Sequence, residues 1–235
     1  MNLSTSIVNS IQCTLKAIYR YGERTHGLKK LDFNVIKFSQ KSKTKEPLAL
    51  EKEMIIWQYC LNNKGKISLA MSLGLYAGLR IGEICALKWE DIDLENSMIS
   101  ITKTVQRLKS ENQEHKTQLY ILEPKSTSSI RSVILPDFLT EYLKKYNDLY
   151  NKDFFILSNK EIPMDPRVIQ KNFRKICKAN DIDATFHTLR HTYATNCIKT
   201  NIDVKTLSET LGHANVNITL NRYVHTSLDF KKQQI

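Results

Sequence analysis

Apolar residues recur at helical spacing along most of the chain and alternate over a short central stretch. The first predicted helix, over residues 4–21, follows a Ser/Thr cluster and would end at Gly22 and Gly27. Its apolar stripe consists of Ile7, Ile11, Leu15 and Ile18. Because a single helix cannot bury its own apolar face, this segment needs a surface to dock against.

From Leu48 onward the pattern predicts a compact domain that is mostly helical. The predicted helical segments are 54–60, 67–77, 81–87, 136–146, 166–176, 186–199 and 203–211. Period-two alternation predicts three short strands at Met98–Thr104, Thr117–Leu122 and Ile130–Leu135. The chain is therefore expected to have an α+β fold that is mainly α-helical.

Residues 28–47 have no such periodicity and are predicted to be a basic linker that closes at Pro47. The linker lysines are Lys29, Lys30, Lys37, Lys41, Lys43 and Lys45. Only Asp32 and Glu46 oppose them. The formal net charge of the chain is +11. Such a surface attracts nucleic acid by neutralising phosphates, although a solvated lysine-rich surface has the same composition.

Composition argues against a membrane or secreted protein. No run approaches the roughly 18 to 20 apolar residues that a spanning helix needs, and the N-terminus lacks a signal-peptide pattern, so a cytoplasmic location is expected. The five cysteines show no Cys-x-x-Cys spacing, and four lie in apolar helical patterns. We interpret them as reduced core thiols.

The candidate chemistry lies mainly near the C-terminus. His187 and Arg190 are three residues apart on one predicted helix, so both can face one cleft. His213 follows Gly212, the expected C-terminal stop of a helix, and Tyr223 comes ten residues later. A phenol beside imidazoles and a guanidinium is typical of a site that attacks a phosphodiester.

Two further residues complete the set. Arg80 opens a predicted helix, and a planar, permanently charged guanidinium matches two phosphate oxygens. Lys125, in a turn between predicted strands, could protonate a leaving oxygen, because neighbouring arginines lower a lysine pKa.

Each residue taken alone also has an ordinary structural interpretation. Arg80 could form an ion pair with Glu83, Lys125 could be a solvated turn lysine, and Tyr223 has the helical spacing of a core residue. His187 and His191 have the spacing of a zinc pair, but no Glu follows His187 and no third ligand is evident. Only the joint occurrence of all the candidates in this order favours the catalytic interpretation.

The motifs as a set resemble the catalytic domain of the tyrosine recombinase (phage integrase) family, over roughly residues 46–227. The matching segments are Ala-Gly-Leu-Arg80-Ile-Gly-Glu83, Pro-Lys125-Ser-Thr-Ser-Ser-Ile-Arg, His187-Thr-Leu-Arg190-His-Thr-Tyr-Ala-Thr, Leu-Gly-His213 and Tyr223. The resemblance implies a small antiparallel three-stranded sheet within the helical domain. The spacing of ten between His213 and Tyr223 resembles integrases of phages and integrative conjugative elements more than chromosome-dimer resolvases.

By this resemblance the chain would be a site-specific DNA recombinase that needs neither metal, ATP nor another cofactor. Tyr223 would form a covalent 3′-phosphotyrosine, and Arg80, Arg190 and His213 would hold the phosphate oxygens. Lys125 would be the general acid, and His187 a general base or hydrogen-bond partner. The expected partner is double-stranded DNA, with a monomer in free solution and a tetramer on paired sites.

The resemblance also implies a domain organisation. Residues 1–27 would be the C-terminal helix remnant of a core-binding domain, 28–47 the linker and 48–235 the catalytic domain. Val224–Ile235 would pack against a neighbouring protomer on DNA. Two other functions stay open at this point: a regulator that binds integration sites without cutting them, and a relaxing enzyme of the type IB topoisomerase class.

Overall fold

The structure, a computed structural model, describes residues 5–29, 31, 46–110, 116–123, 129–147 and 151–223. Within these ranges, the side chains of residues 5, 6, 147 and 221–223 are not described. The chain divides into two compact units, residues 1–44 and 45–235. Most of the predicted linker, at residue 30 and residues 32–45, lies outside the described residues. The linker and the three-part domain organisation therefore stay predictions.

The first unit contains one long helix, α1, at Thr5–His26. The prediction that Gly22 ends this helix is wrong, because the helix continues through it for another turn. Gly27 follows the last helical residue with φ of 63°, a left-handed conformation that glycine adopts without a steric penalty. The apolar stripe of α1 is exposed to solvent along its length.

The second unit is built, within the described residues, from eight α-helices, one short 3-10 helix at Trp89–Asp91 and five short strands. Its helices are α2 (Leu50–Asn62), α3 (Lys66–Tyr76), α4 (Ile81–Ala86), α5 (Asp137–Asn147), α6 (Pro166–Ala179), α7 (Phe186–Lys199), α8 (Val204–Leu211) and α9 (Val216–Tyr223). Its strands are β1 (Ile92–Asp93), β2 (Met98–Ile101), β3 (Thr104–Lys109), β4 (Thr117–Leu122) and β5 (Arg131–Ile134). The mainly helical α+β fold is confirmed.

Helix α3 lies at the centre of the second unit. All eight residues from Ser68 to Leu75 are buried, and the helix packs against α2, α4, α6 and α7. A helix that is apolar on every side is expected in such a central position. The chain continues from the end of α3 through Gly78 to Arg80, the first residue of the candidate site.

The predicted antiparallel three-stranded sheet is present, with strand order β1-β2-β5. Its membership differs from the sequence prediction. The single strand predicted at Met98–Thr104 is two strands, since the exposed Lys103 occupies the position between the buried Ile101 and Val105 where alternation requires an apolar residue. Strand β3 instead pairs with β4 in a separate hairpin, and β1 has only two residues, too few to show a period.

Four of the five cysteines are buried free thiols, at Cys60, Cys85, Cys177 and Cys197. Burial raises the pKa of the Cys60 and Cys85 thiols to about 12, so both stay protonated at neutral pH. Cys13 is exposed on α1, and the interpretation of all five as core thiols is wrong for this one.

Candidate active site

Arg80 occupies the N-cap position of α4, and Glu83 on the first turn of that helix fixes its orientation. The backbone N–H of Arg80 donates to Glu83 Oε2 (2.8 Å), and its Nη1 donates to Glu83 Oε1 (2.7 Å). The Arg80 Nη2 donates across the unit to the carbonyl of Gly212 (3.1 Å). The side chain stays 39% exposed, so the guanidinium is anchored on one side and open on the other.

Arg190, by contrast, is among the largest fully buried side chains in the described part of the chain, at 2% exposure. A guanidinium this deep in the protein requires hydrogen-bond acceptors to offset its desolvation. Its Nη1 donates to the carbonyl of Gly78 (2.7 Å) and its Nη2 to the carbonyl of Leu211 (2.6 Å). These bonds tie α7 to the loop before Arg80 and to the end of α8.

A third arginine, Arg131 on β5, completes a cluster around the C-terminus of α8. Its Nε donates to the carbonyl of Thr210 (2.6 Å). The consecutive carbonyls of Thr210, Leu211 and Gly212 therefore accept from Arg131, Arg190 and Arg80 respectively. The last carbonyls of a helix lack partners within the helix and carry its negative dipole end, so they suit cationic donors.

Glu83 connects two of these arginines. Arg131 donates to both of its oxygens, from Nη1 at 3.0 Å and from Nη2 at 2.9 Å, while Arg80 binds Oε1. Burial alone would raise the pKa of Glu83, but the hydrogen bonds and charge of Arg131, with the charge of Arg80, outweigh it and lower the pKa to about 2. The carboxylate is ionised throughout the neutral range and holds both guanidinium planes.

His213 joins the arginines through the turn that follows α8. Gly212 adopts a left-handed conformation, with φ of 61°, and sends the chain back so that Nε2 of His213 lies 3.2 Å from Nη2 of Arg190. The other ring nitrogen, Nδ1, lies 2.8 Å from Oγ1 of Thr219 on α9. A Cβ at Gly212 would lie 2.9 Å from Nη1 of Arg131, so a side chain at this position would crowd the cluster.

The structure therefore brings together three of the six predicted site residues: Arg80, Arg190 and His213. His187 lies one turn before Arg190 on α7, with its side chain exposed. Tyr223 is the last residue of α9, and its side chain is outside the described atoms. Lys125 lies outside the described residues. The roles of all six stay predictions.

A recess of about 220 Å³ opens beside Arg80. It is lined by Arg80, Glu83, Ile101, Lys103, Thr104, Gln106, Leu122, Glu123 and Ser129. Glu123 and Ser129 are the described residues that flank the segment containing Lys125. Both of these flanking residues therefore lie at the recess beside Arg80.

Arg131 and Thr219 were not among the site residues predicted from the sequence. Arg131 is the last residue of the segment that contains the lysine motif, and it begins strand β5. A charged residue inside an apolar strand pattern was the feature that could have indicated a role. Thr219 had no distinctive signal, because a threonine within a helix is common. The ordinary interpretation of Arg80 as an ion-pair partner of Glu83 is also correct, and the same pair shapes the candidate site.

The described ranges contain neither a candidate metal cluster nor a helix that could span a membrane. No group of three or more His, Cys, Asp or Glu side chains in those ranges could hold a metal ion. No helix there has both the length and the apolar character needed to cross a membrane.

Comparison with known proteins identifies a family. A sequence model of the phage integrase family matches residues 49–229. Transposase A from transposon Tn554 of Staphylococcus aureus is 32% identical over 199 residues, which is 83% of this chain and 52% of that protein. The chain spans about half the length of the curated relatives it matches.

Solved structures share the fold. The Tn1549 transposon integrase in complex with transposon right end DNA superimposes with a TM-score of 0.83 at 23% identity, over 99% of this chain and 79% of that one. A lambda integrase tetramer bound to a Holliday junction gives a TM-score of 0.62 at 18% identity, over 93% of this chain and 60% of that one. At these identities the likeness establishes the fold alone.

Proposed function

Since the chain belongs to the phage integrase family, we propose that residues 48–235 are the catalytic domain of a site-specific DNA recombinase. In this proposal the domain cleaves and rejoins DNA through a covalent 3′-phosphotyrosine at Tyr223. The observation that carries the proposal is the convergence of Arg80, Arg190 and His213 at the end of α8.

The proposed site suits the charge that develops during phosphodiester cleavage. Attack on phosphorus gives a pentavalent transition state with additional negative charge on its non-bridging oxygens. Fixed cationic donors stabilise that charge without reorganising, and one well-placed donor contributes roughly 3 to 4 kcal/mol. Arg190 is held rigidly by buried carbonyls, and Arg80 has an exposed side from which a five-donor guanidinium can reach a phosphate. This arrangement supports cleavage without a metal or ATP.

The remaining roles follow the family pattern. Tyr223 is the nucleophile, and its helix α9 is linked to His213 through Thr219. Lys125 protonates the leaving 5′ oxygen. His187 acts as general base or hydrogen-bond partner. The phosphotyrosine keeps the energy of the phosphodiester, so a 5′-hydroxyl from another strand can rejoin the DNA.

Double-stranded DNA is the proposed partner, and helix α6 offers a surface for it. The helix contains five cations and no acidic residue. Four of them, all exposed, follow each other at spacings of four, three and four residues, and so form one stripe opposite the buried face: Arg167, Lys171, Arg174 and Lys178. Such a stripe neutralises backbone phosphates. Assembly into a tetramer on paired sites is proposed by analogy with the lambda integrase structure.

The deciding experiment is covalent trapping. The full chain is incubated with nicked suicide duplexes that cover the DNA flanking its gene, and the products are separated under denaturing conditions. Wild type should give a protein–DNA adduct with a free 5′-hydroxyl, and Tyr223→Phe should give none. Retained DNA binding without an adduct would favour a non-cutting regulator, and relaxation of supercoils without site preference would favour a topoisomerase. Either result contradicts the proposal.

A further inference from the structure

The most deeply buried described side chain of α9 is polar. Thr219 is 0% exposed, whereas Val216 and Leu220 are only partly buried and Ile218 is 45% exposed. An amphipathic helix ordinarily uses its most buried position for an apolar side chain. A hydroxyl there requires a specific hydrogen-bond partner.

That partner is the ring of His213. The contact of the other ring nitrogen with Arg190 determines whether the ring donates to Thr219 or accepts from it. Nδ1 of His213 lies 2.8 Å from Oγ1 of Thr219, and Nε2 lies 3.2 Å from Nη2 of Arg190. A guanidinium can only donate, so Nε2 must accept. A neutral imidazole then carries its proton on Nδ1, from which it donates to Thr219.

We propose that Thr219 is a positioning residue that fixes the orientation of the His213 ring and ties the ring to the helix of the nucleophile. The inference rests on the proposed function, in which His213 binds the scissile phosphate. Thr219 lies four residues before Tyr223 on α9. The hydrogen bond therefore links the position of the tyrosine helix to the phosphate-binding ring.

A hydroxyl suits this position better than a carbonyl or an amide. When a phosphate oxygen, which only accepts, takes the place of Arg190 at Nε2, the ring must donate from Nε2. The hydroxyl of Thr219 both accepts and donates, so it can follow either protonation state of the ring without moving. Valine has the same shape but offers neither function.

The first test observes the ring without DNA. The full chain with ¹⁵N-labelled histidine is studied by NMR at about pH 8, where an ordinary histidine is neutral. The signals of His213 are identified by their loss in His213→Gln. We expect a protonated Nδ1 and an unprotonated Nε2, with the Nδ1 proton protected from exchange in wild type and Thr219→Ser but not in Thr219→Val. Equal protection of this proton in wild type and Thr219→Val would overturn the proposal.

The second test measures adduct formation on a suicide duplex. Thr219→Val should slow it about ten- to hundredfold, and Thr219→Ser less than about threefold, as expected when a bond that orients a functional histidine is lost or kept. Unfolding temperatures of both variants are compared, so that slow cleavage by a folded Val variant is separated from loss of fold. Equal rates for Thr219→Val and wild type, or equally slow Ser and Val variants, would overturn the proposal.

The two tests also separate this inference from the proposed function. If wild type forms no adduct on any duplex, the proposed function fails. The exchange of the His213 ring proton still decides whether Thr219 holds the ring.

Discussion

At the scale of single residues, the candidate site depends on a few buried charges. Glu83 accepts from both Arg80 and Arg131, and all three side chains meet beside the end of α8. Removing one partner of a buried pair leaves an uncompensated charge, which costs far more than the pair contributes. The three side chains therefore depend on one another. Protonation of the Glu83 carboxylate would remove the negative charge that both arginines bind.

The Glu83 pKa predicts how stability changes with pH. The folded-state pKa of about 2 lies below the ordinary value of 4.5. The ionised carboxylate therefore stabilises the fold above about pH 4.5, by about 3 kcal/mol, and this contribution is lost progressively as the pH falls toward 2. Urea unfolding of wild type and Glu83→Gln measures it between pH 7 and pH 2.

The difference between the two proteins isolates Glu83 from the other carboxylates, which titrate in both. We expect Glu83→Gln to have a lower free energy of unfolding than wild type at pH 7. The difference in free energy between the two proteins should become smaller as the pH falls toward 2. A gap that stays constant between pH 7 and pH 2 would show that the Glu83 charge does not hold the cluster.

At the scale of elements, the candidate site residues Arg80 and His213 both lie at turns that follow the C-terminal ends of helices. The C-terminus of α3 leads through Gly78 to Arg80 at the start of α4, and the C-terminus of α8 leads through Gly212 to His213. Both glycines have positive φ, 65° and 61°, and this left-handed backbone conformation is energetically unfavourable for residues with a Cβ. Two tight turns therefore decide where the guanidinium and the imidazole meet.

Gly78→Ala tests the first of these turns. Its Cβ would lie 2.4 Å from the Tyr193 ring, and its left-handed backbone adds roughly 1 to 2 kcal/mol. With the cost of overpacking, we expect a loss of roughly 2 to 5 kcal/mol in the free energy of unfolding, measured by urea denaturation.

The control is Gly65→Ala, at the N-cap of α3 in the same unit. It has an extended backbone and nothing within 4 Å of its Cβ, so only the lower N-cap preference of Ala acts there, and a loss of roughly 0.5 to 1 kcal/mol is expected. Similar losses in the two variants would contradict the role given to the Gly78 turn.

At the scale of the whole molecule, charge is distributed unevenly. The excess of eleven positive charges includes the exposed stripe on α6, whereas on α5 a lysine is paired with a neighbouring acid, Lys144 with Glu141 at 2.7 Å. A long stripe of cations on one helix can bind a polyanion such as DNA, whereas the charge of a paired lysine is already balanced by its acidic neighbour.

Salt dependence tests that distinction. Lys171→Gln should weaken binding to duplex DNA and reduce the slope of log affinity against log salt concentration by roughly 0.9, because one phosphate contact is lost. Lys144→Gln removes the same charge from α5 and should leave the slope unchanged. Equal effects of both variants, measured by fluorescence anisotropy across a salt series, would place the DNA contact elsewhere than α6.

The elements were largely predictable from local pattern. The predicted helices at 186–199 and 203–211 agree with α7 and α8 within one residue, because their periodicity and caps are local properties. The exceptions are also local in origin. Gly22 is tolerated inside α1, and β1 is too short for a pattern to be read.

The sequence by itself determined which residue types were available and in what order, and that was enough for the fold class and the family. Only the tertiary structure decided that three arginines, from the N-cap of α4, from β5 and from α7, meet at three consecutive carbonyls at the C-terminal end of α8, and that Thr219 holds His213. The reason is physical. Helix and strand periodicity arises from neighbours along the chain, whereas a hydrogen bond between residues far apart in sequence depends on how the whole unit packs.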